Sequence, residues 1–347
     1  SGHHQLSGIT PERTGKAIFP DVDWIAADMA SLIDPGDWTP ILLDADILVN
    51  AAGALQNGRQ DNVLDVQAKS VIALIEACEA SKVKHFIQIS APGAAEASST
   101  DFYRSKFMAD ERLKSSTLNW TILRPGLVLG AQSYGGSRLL RMIAATPLVQ
   151  PCAYPDTLIK TVHLDDVAYA VSKAISGGVT GDFDLVEDDA HSLKDIVLSI
   201  RRQLGFKAPF ALLPLPALAV TGLSAAADVL GWLGWRSALR SNAIKVLKEG
   251  IDGDGASWTR SSGRKLKSLT DTLGALPMTF QDRLAARATL AYPFLLLTLV
   301  LFWIASGAVG IFQSEAAMTV LPVDMPPFFK AALVFGGGCL DVLIGLG

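Results

Sequence analysis

The amino-acid sequence predicts an α/β fold, a doubly wound parallel sheet, followed by a C-terminal transmembrane α-helical domain. Three observations carry this. Over residues 22–129 short β-rich runs alternate with stretches of helical spacing, which implies right-handed βαβ units. Residues 289–312 (TLAYPFLLLTLVLFWIASGAVGIF) run for 24 residues without a charge, whereas about 20 apolar residues suffice to cross a bilayer core. The charge is also uneven. Residues 236–287 hold ten Lys/Arg against five acids, and residues 288–347 hold one Lys against three acids, in a chain of 347 residues with formal net charge −4. An acidic front, a basic belt and an apolar tail fit a membrane protein and exclude a nucleic-acid binder.

Taken in order, residues 22–27 (VDWIAA) are a short apolar run ending at Asp28, and residues 46–51 (DILVNA) a β-rich run leading to Gly53. Residues 63–80 have helical spacing and precede the strand-like HFIQI of 85–89. Residues 106–114 read as helix and residues 120–129 (WTILRPGLVL) as extended chain. In such sheets ligands bind beyond the carboxyl ends of the strands, so Asp28, 50–53, Ser90 and 125–128 would line one crevice. Residues 208–227 carry no charge but contain Pro209, Pro214 and Pro216. They read as a loop and then a buried or membrane-surface helix, since the prolines oppose a straight span. In residues 230–241, Trp232 and Trp235 beside Arg236 and Arg240 suit either an interfacial anchor or ordinary helix packing. Three cysteines (Cys78, Cys152, Cys339) are too few and too scattered for a disulfide scaffold or a zinc cluster.

A second apolar run, 328–347, is interrupted only by Lys330 and Asp341, and the loop between the runs lacks Lys and Arg. With the basic belt ahead of the first span, the positive-inside rule puts the front domain in the cytoplasm and makes the protein multi-pass. Asp341 stands out because an ionisable residue at membrane depth usually faces a bundle interior.

Six short motifs then stand together: AADM (26–29), NAAG (50–53), QIS (88–90), SK (105–106), RPGLVLG (124–130) and VHLDDVA (162–168). In this order the chain resembles the extended and atypical short-chain dehydrogenase/reductase superfamily, in the branch that includes the NAD(P)H-binding accessory subunit of respiratory complex I. The following spans resemble the start of a DoxX-like membrane domain. The implied organisation is an NAD(P)-binding Rossmann domain over 1–205, a substrate-side subdomain and basic linker over 206–287, and a membrane domain over 288–347. The family opens with a strand and a Gly-rich turn, but here 4–9 (HQLSGI) would match its second strand. The sequence is therefore expected to lack the first βα unit and the end of the membrane domain.

The resemblance implies a cofactor, NAD or NADP, held by Asp28, Met29, Ala51, Ala52, Gly53, Ser90, Lys106, Pro125, Gly126, Leu127 and Val128. Asp28 would accept from the adenine amino group with Met29 against the ring, although a turn-capping Asp reads equally from the residues. Arg13, beside Thr10 and Glu12, leans the choice towards NADP. The family's acid/base Tyr sits four residues before its Lys, which places both on one helix face. Lys106 is the natural Lys, with Ser90 as the accompanying hydroxyl, yet position 102 is Phe and Tyr103 is only three residues back. Three readings stay open: Phe102 replaces the Tyr and Lys106 binds ribose, Tyr103 swings in, or Lys106 itself serves as the acid. In VHLDDVA, Asp165 or Asp166 is expected to cap a helix, with His163 structural. The expected activity is reduction of an unknown small-molecule acceptor, quinone-like because the fusion puts the cofactor near lipid. The alternatives are a non-catalytic dinucleotide-binding module of a membrane protein complex and a sugar-nucleotide epimerase or dehydratase, the last disfavoured by Phe102.

Overall fold

The computed structural model describes residues 5–10, 19–53, 62–132, 135–232 and 239–346. Glu12, Arg13, Trp235, Arg236 and the side chain of Trp232 lie outside the described residues, so the expectations placed on them are not taken further. The chain forms two compact units, Ser1–Thr279 and Phe280–Gly347.

The first unit begins with β1 (Ser7–Thr10), β2 (Asp23–Ala26), the short α1 (Pro35–Trp38) and β3 (Ile47–Asn50). It continues with α2 (Ser70–Glu79), β4 (His85–Ile89), α3 (Asp101–Lys114), β5 (Asn119–Pro125) and β6 (Leu127–Leu129). Next come α4 (Gly135–Ala144), β7 (Val149–Cys152), β8 (Leu158–Ile159), β9 (Thr161–His163), α5 (Leu164–Ile175) and β10 (Gly181–Leu185). The unit closes with β11 (His191–Ser192), α6 (Leu193–Gln203), β12 (Ala211–Pro214), α7 (Ala217–Trp232), α8 (Ser241–Glu249), α9 (Ala256–Ser262) and α10 (Leu269–Ala275). The main sheet has the order β10-β5-β4-β3 with all pairs parallel. Among the described residues β1 and β2 form a separate parallel pair. Gly8 is needed there, because a Cβ would lie 2.5 Å from the ring of its cross-strand neighbour Trp24.

Alternation along the strands divides the core into two layers, as period-two side chains must. Phe86 and Ile122 face one layer with Trp38, Ala109, Leu113 and α2, whereas Ile87 and Leu123 face the other with α5, Phe183 and Trp258. Strands buried on both faces read as continuous apolar runs, which is why HFIQI and WTIL were legible. The predicted doubly wound parallel sheet is thus what forms.

Two expectations change. Within the 208–227 stretch, residues 211–214 are not loop but strand β12, which pairs with β7 in parallel. Pro214 is tolerated because it ends a two-stranded ribbon, where a missing N–H breaks no central ladder. The cap of α5 is neither Asp165 nor Asp166 but His163, whose Nδ1 accepts from the Asp165 N–H at 3.0 Å. Asp166 is buried instead, accepting from Arg264 (3.0 Å) and from the side chain (2.9 Å) and backbone N–H (3.0 Å) of Lys267.

That clamp is one of several by which the segment after α8 returns to the sheet. Trp258 is fully buried and meets Phe183 and Tyr169 edge-on at 5.8 and 6.5 Å. Buried Glu187 accepts from the Thr161 backbone N–H and hydroxyl and, at 2.6 Å, from the Leu269 N–H that opens α10.

The second unit comprises α11 (Phe280–Phe312), α12 (Ser314–Val320) and α13 (Pro327–Leu346). Helices α11 and α13 are long and apolar enough to cross a membrane, and little of either is buried within the protein. They touch through glycine: a Cβ on Gly307 would lie 2.4 Å from the Gly338 carbonyl oxygen, so small residues set this close approach. Beside it the Ser306 hydroxyl donates to Asp341 at 2.9 Å.

The first unit depends on the returning segment for its core. Trp258→Ala should lower its stability by about 3–5 kcal/mol, read as a drop in the urea midpoint followed by near-UV circular dichroism.

Candidate cofactor site

The crevice at the carboxyl ends of β3, β4 and β5 is built from three kinds of group. The first is a shelf of small residues. After β3 the chain turns at Asn50, whose side-chain oxygen accepts from the Ala52 N–H (3.1 Å) while its amide donates to Gln88 (2.8 Å). Ala51 and Gly53 are exposed beyond that turn. A Cβ on Gly53 would stand 4.0 Å from the Lys106 ammonium, so the shelf and the Lys head border the same space.

The second is Lys106 itself. Thr100 caps α3, and the helix carries Lys106 inwards until it is 4% exposed. Its Nζ donates to the Ala52 carbonyl (3.1 Å) and the Ile89 carbonyl (2.8 Å), tying the ends of β3 and β4 together. An ammonium has three N–H donors, so one is left for a ligand. Burial pulls the Lys106 pKa down to about 8, against the pull of nearby Asp110.

The third is a charged cluster beneath Lys106. Asp110, one helical turn on, is 1% exposed. Its Oδ2 accepts from the Ser90 hydroxyl (2.7 Å) and from Arg124 (3.2 Å), while its Oδ1 is buried without a partner. Arg124 also pairs with Asp182 on β10. Burial raises the Asp110 pKa, opposed by Ser90, Arg124 and Lys106.

These contacts sort the residues singled out in the sequence. Ala51, Ala52, Gly53 and Lys106 come together at the crevice. Ser90 does not offer its hydroxyl to the crevice as expected: it is 5% exposed and its proton is committed to Asp110. Asp28 is exposed, but one oxygen of its carboxylate accepts from the Ala30 N–H (3.0 Å) and caps the turn Met29–Ser31. Met29 packs partly against the helical layer of the core. Pro125, Leu127 and Val128 are half-buried along β5 and β6. Gly126 is required by packing, since a Cβ there would lie 2.6 Å from the Lys160 carbonyl oxygen.

Tyr103 is only 4% exposed, and burial, together with Glu249, pushes its hydroxyl up to about 12. A phenol that weakly acidic is a poor proton donor near neutrality. Phe102 is half-buried against the Tyr103 ring, with centroids 5.2 Å apart. It shares the four-residue spacing with Lys106 but has no proton to give. Arg124 and Asp110 escaped the sequence reading, although both left a trace. An Arg inside the apolar run WTILRPG demands buried acids, and Asp110 lies four residues beyond Lys106 on the same helix.

Comparison with known proteins agrees with this geometry. Residues 11–145 match an NAD(P)H-binding family. An 88-residue stretch is 32% identical to the UPF0659 protein YMR090W of Saccharomyces cerevisiae; it is 23% of this chain and spans 38% of that relative's length. Among solved structures, the Bordetella bronchiseptica enzyme WbmG in complex with NAD superposes with a TM-score of 0.56 at 16% identity, over 84% of this chain and 87% of that one. The NADPH-dependent quinone oxidoreductase QOR2 of Escherichia coli, complexed with NADPH, also gives 0.56, at 19% identity over 78% and 89%. The UDP-glucuronic acid 4-epimerase of Bacillus cereus, with NAD, gives 0.56 at 16% over 82% and 91%. The front unit therefore contains an NAD(P)-binding domain with a Rossmann-like fold.

The cluster under Lys106 has a measurable signature. Arg124→Ala strands a buried carboxylate and should lower stability by about 3–5 kcal/mol. Adding Asp110→Asn should lower it by less than the two single losses together, a non-additivity that a double-mutant unfolding cycle reads directly.

Proposed function

We propose that this chain is a membrane-anchored NAD(P)H-dependent reductase whose crevice uses Lys106 both to hold the cofactor and to manage the proton. The observation that carries this is the Lys106 ammonium, fixed on the Ala52 and Ile89 carbonyls with one N–H to spare. A bound nicotinamide cofactor would supply the hydride; the protein's share is position and charge. Ala51, Ala52 and Gly53 leave room for a dinucleotide backbone to cross the strand ends. The spare Lys106 N–H would meet a ribose hydroxyl, and Pro125 to Val128 would flank the nicotinamide end. With its pKa near 8, Lys106 is charged at neutral pH yet able to release a proton, as a general acid must be.

The acceptor that suits this site is a quinone-like molecule. Tyr103 is buried and Phe102 has no hydroxyl, which disfavours the Tyr-based acid/base step of sugar substrates, whereas a quinone's reduced oxygens take protons readily from an amine such as Lys106 or from water. The likeness in fold to a quinone oxidoreductase, and two helices able to reach lipid, favour the same reading. The basic belt ahead of α11 supports a cytoplasmic front unit. Phe102 also favours a second reading, a dinucleotide-binding module that stabilises a membrane protein complex without turnover.

The reading is tested by NADH and NADPH fluorescence titration of the full chain in detergent, followed by turnover with a soluble quinone. Above pH 8 the neutral Lys106 amine keeps two N–H donors, both already used by carbonyls, and turns a lone pair to the crevice. Affinity should therefore fall as pH rises through about 8, and Lys106→Met should weaken binding about tenfold and abolish that dependence. If Lys106→Met lowers affinity and no wild-type turnover occurs with any quinone, the binding-module reading holds instead. Phe102→Tyr should leave quinone turnover unchanged; an increase of about 100-fold with a carbonyl substrate would favour a carbonyl acceptor instead.

A further inference from the structure

A feature of the front unit that the cofactor site does not use lies where β12 runs into α7. Helix α7 buries Val220, Ser224 and Ala227 along one side. Its opposite side carries Leu218, 85% exposed, and Val229, while Leu223 stands half exposed at the edge of the buried side. A helix apolar on both sides has no face suited to water and needs a cover. Just before it in the chain, Phe210 is 87% exposed. The Phe210 N–H donates to the Leu148 carbonyl at 2.8 Å, and Leu148 is itself exposed with φ at 64°. A leucine in the left-handed region is strained, and here the strained residue displays an apolar side chain beside another one. Such strain is commonly kept where a surface has work to perform.

The charge around this face identifies its cover. Residues 201–249 hold seven Lys/Arg against two acids, a net of +5 within a chain of −4. Arg202, Lys207, Lys245 and Lys248 of this stretch are exposed. Exposed apolar side chains flanked along the chain by exposed cations match a lipid surface carrying anionic headgroups. A bilayer is also at hand for this chain, because α11 and α13 are able to cross one and tethering raises the effective concentration of whatever they enter.

We propose that the outward side of α7, with Phe210, Leu213 and Leu148, docks onto an anionic bilayer surface. The apolar side chains would enter the acyl boundary and the cations would lie among the headgroups. The proposal is independent of the reductase reading but rests on α11 and α13 lying in the membrane.

The test uses the full chain in nanodiscs containing anionic lipid, on a Cys339→Ser background, since Cys78 and Cys152 are buried. Single variants Phe210→Cys, Leu218→Cys, Lys84→Cys and Leu301→Cys carry an environment-sensitive fluorophore. Shallow nitroxide lipid should quench the labels at 210 and 218 about twofold or more, as befits groups roughly 5–10 Å below the headgroups. The label at Lys84 should remain in water, and replacing anionic by neutral lipid should reduce quenching at 210 and 218. Labels at 210 and 218 that stay in water while Leu301→Cys is quenched overturn the docking. Protection that arises only when two copies share a disc overturns it in favour of a contact between chains. An unquenched Leu301→Cys removes its membrane premise and overturns it as well. NADH titration of each labelled variant separates these outcomes from misfolding and from failure of the cofactor reading.

Discussion

The crevice depends on one buried cation. Lys106 is nearly out of contact with water, a costly place for an ammonium, and it is tolerated because two strand-end carbonyls and a neighbouring carboxylate surround it. The same bonds fix the distance between the ends of β3 and β4, so the residue that would touch a ligand also shapes the space the ligand would enter. Asp110, Ser90 and Arg124 lie one layer below and repeat the pattern. Each is held by a group from a different element, so helix α3, strands β4 and β5 and, through Asp182, strand β10 share one polar network.

This arrangement redistributes the duties that a hydroxyl pair would carry. The hydroxyl at the end of β4 is turned to the carboxylate of Asp110, and the Tyr103 phenol is held under cover near Glu249. What borders the crevice is a buried amine whose pKa is drawn down to about 8 and a shelf of small residues.

Much of the fold was legible because its signals are local. Strands buried on both faces show as apolar runs, and the helix with Lys106 shows by its spacing. The long uncharged segments announce themselves by length alone. What the residues hid was long-range. No local pattern tells that Ser90 faces Asp110 twenty residues on, or that His163 rather than the adjacent acids caps α5, since a capping side chain is chosen by the angle at which the strand enters the helix. Strand β12 was obscured by Pro214 and the flanking Pro209 and Pro216, which read as breaks until pairing with β7 shows the strand between them.

The return of residues 250–276 onto the sheet bears on how the front unit is inherited and handled. Trp258 fills a hole between β10 and α5, and Arg264 and Lys267 neutralise the carboxylate of Asp166. A piece of the gene cut at the end of the six-motif region would therefore encode an open-faced sheet with an orphaned interior acid. A recombination event that carries the nucleotide-binding half into another protein has to bring this later stretch along. The first compact unit runs to Thr279, so a graft that ends there carries both halves of this clamp.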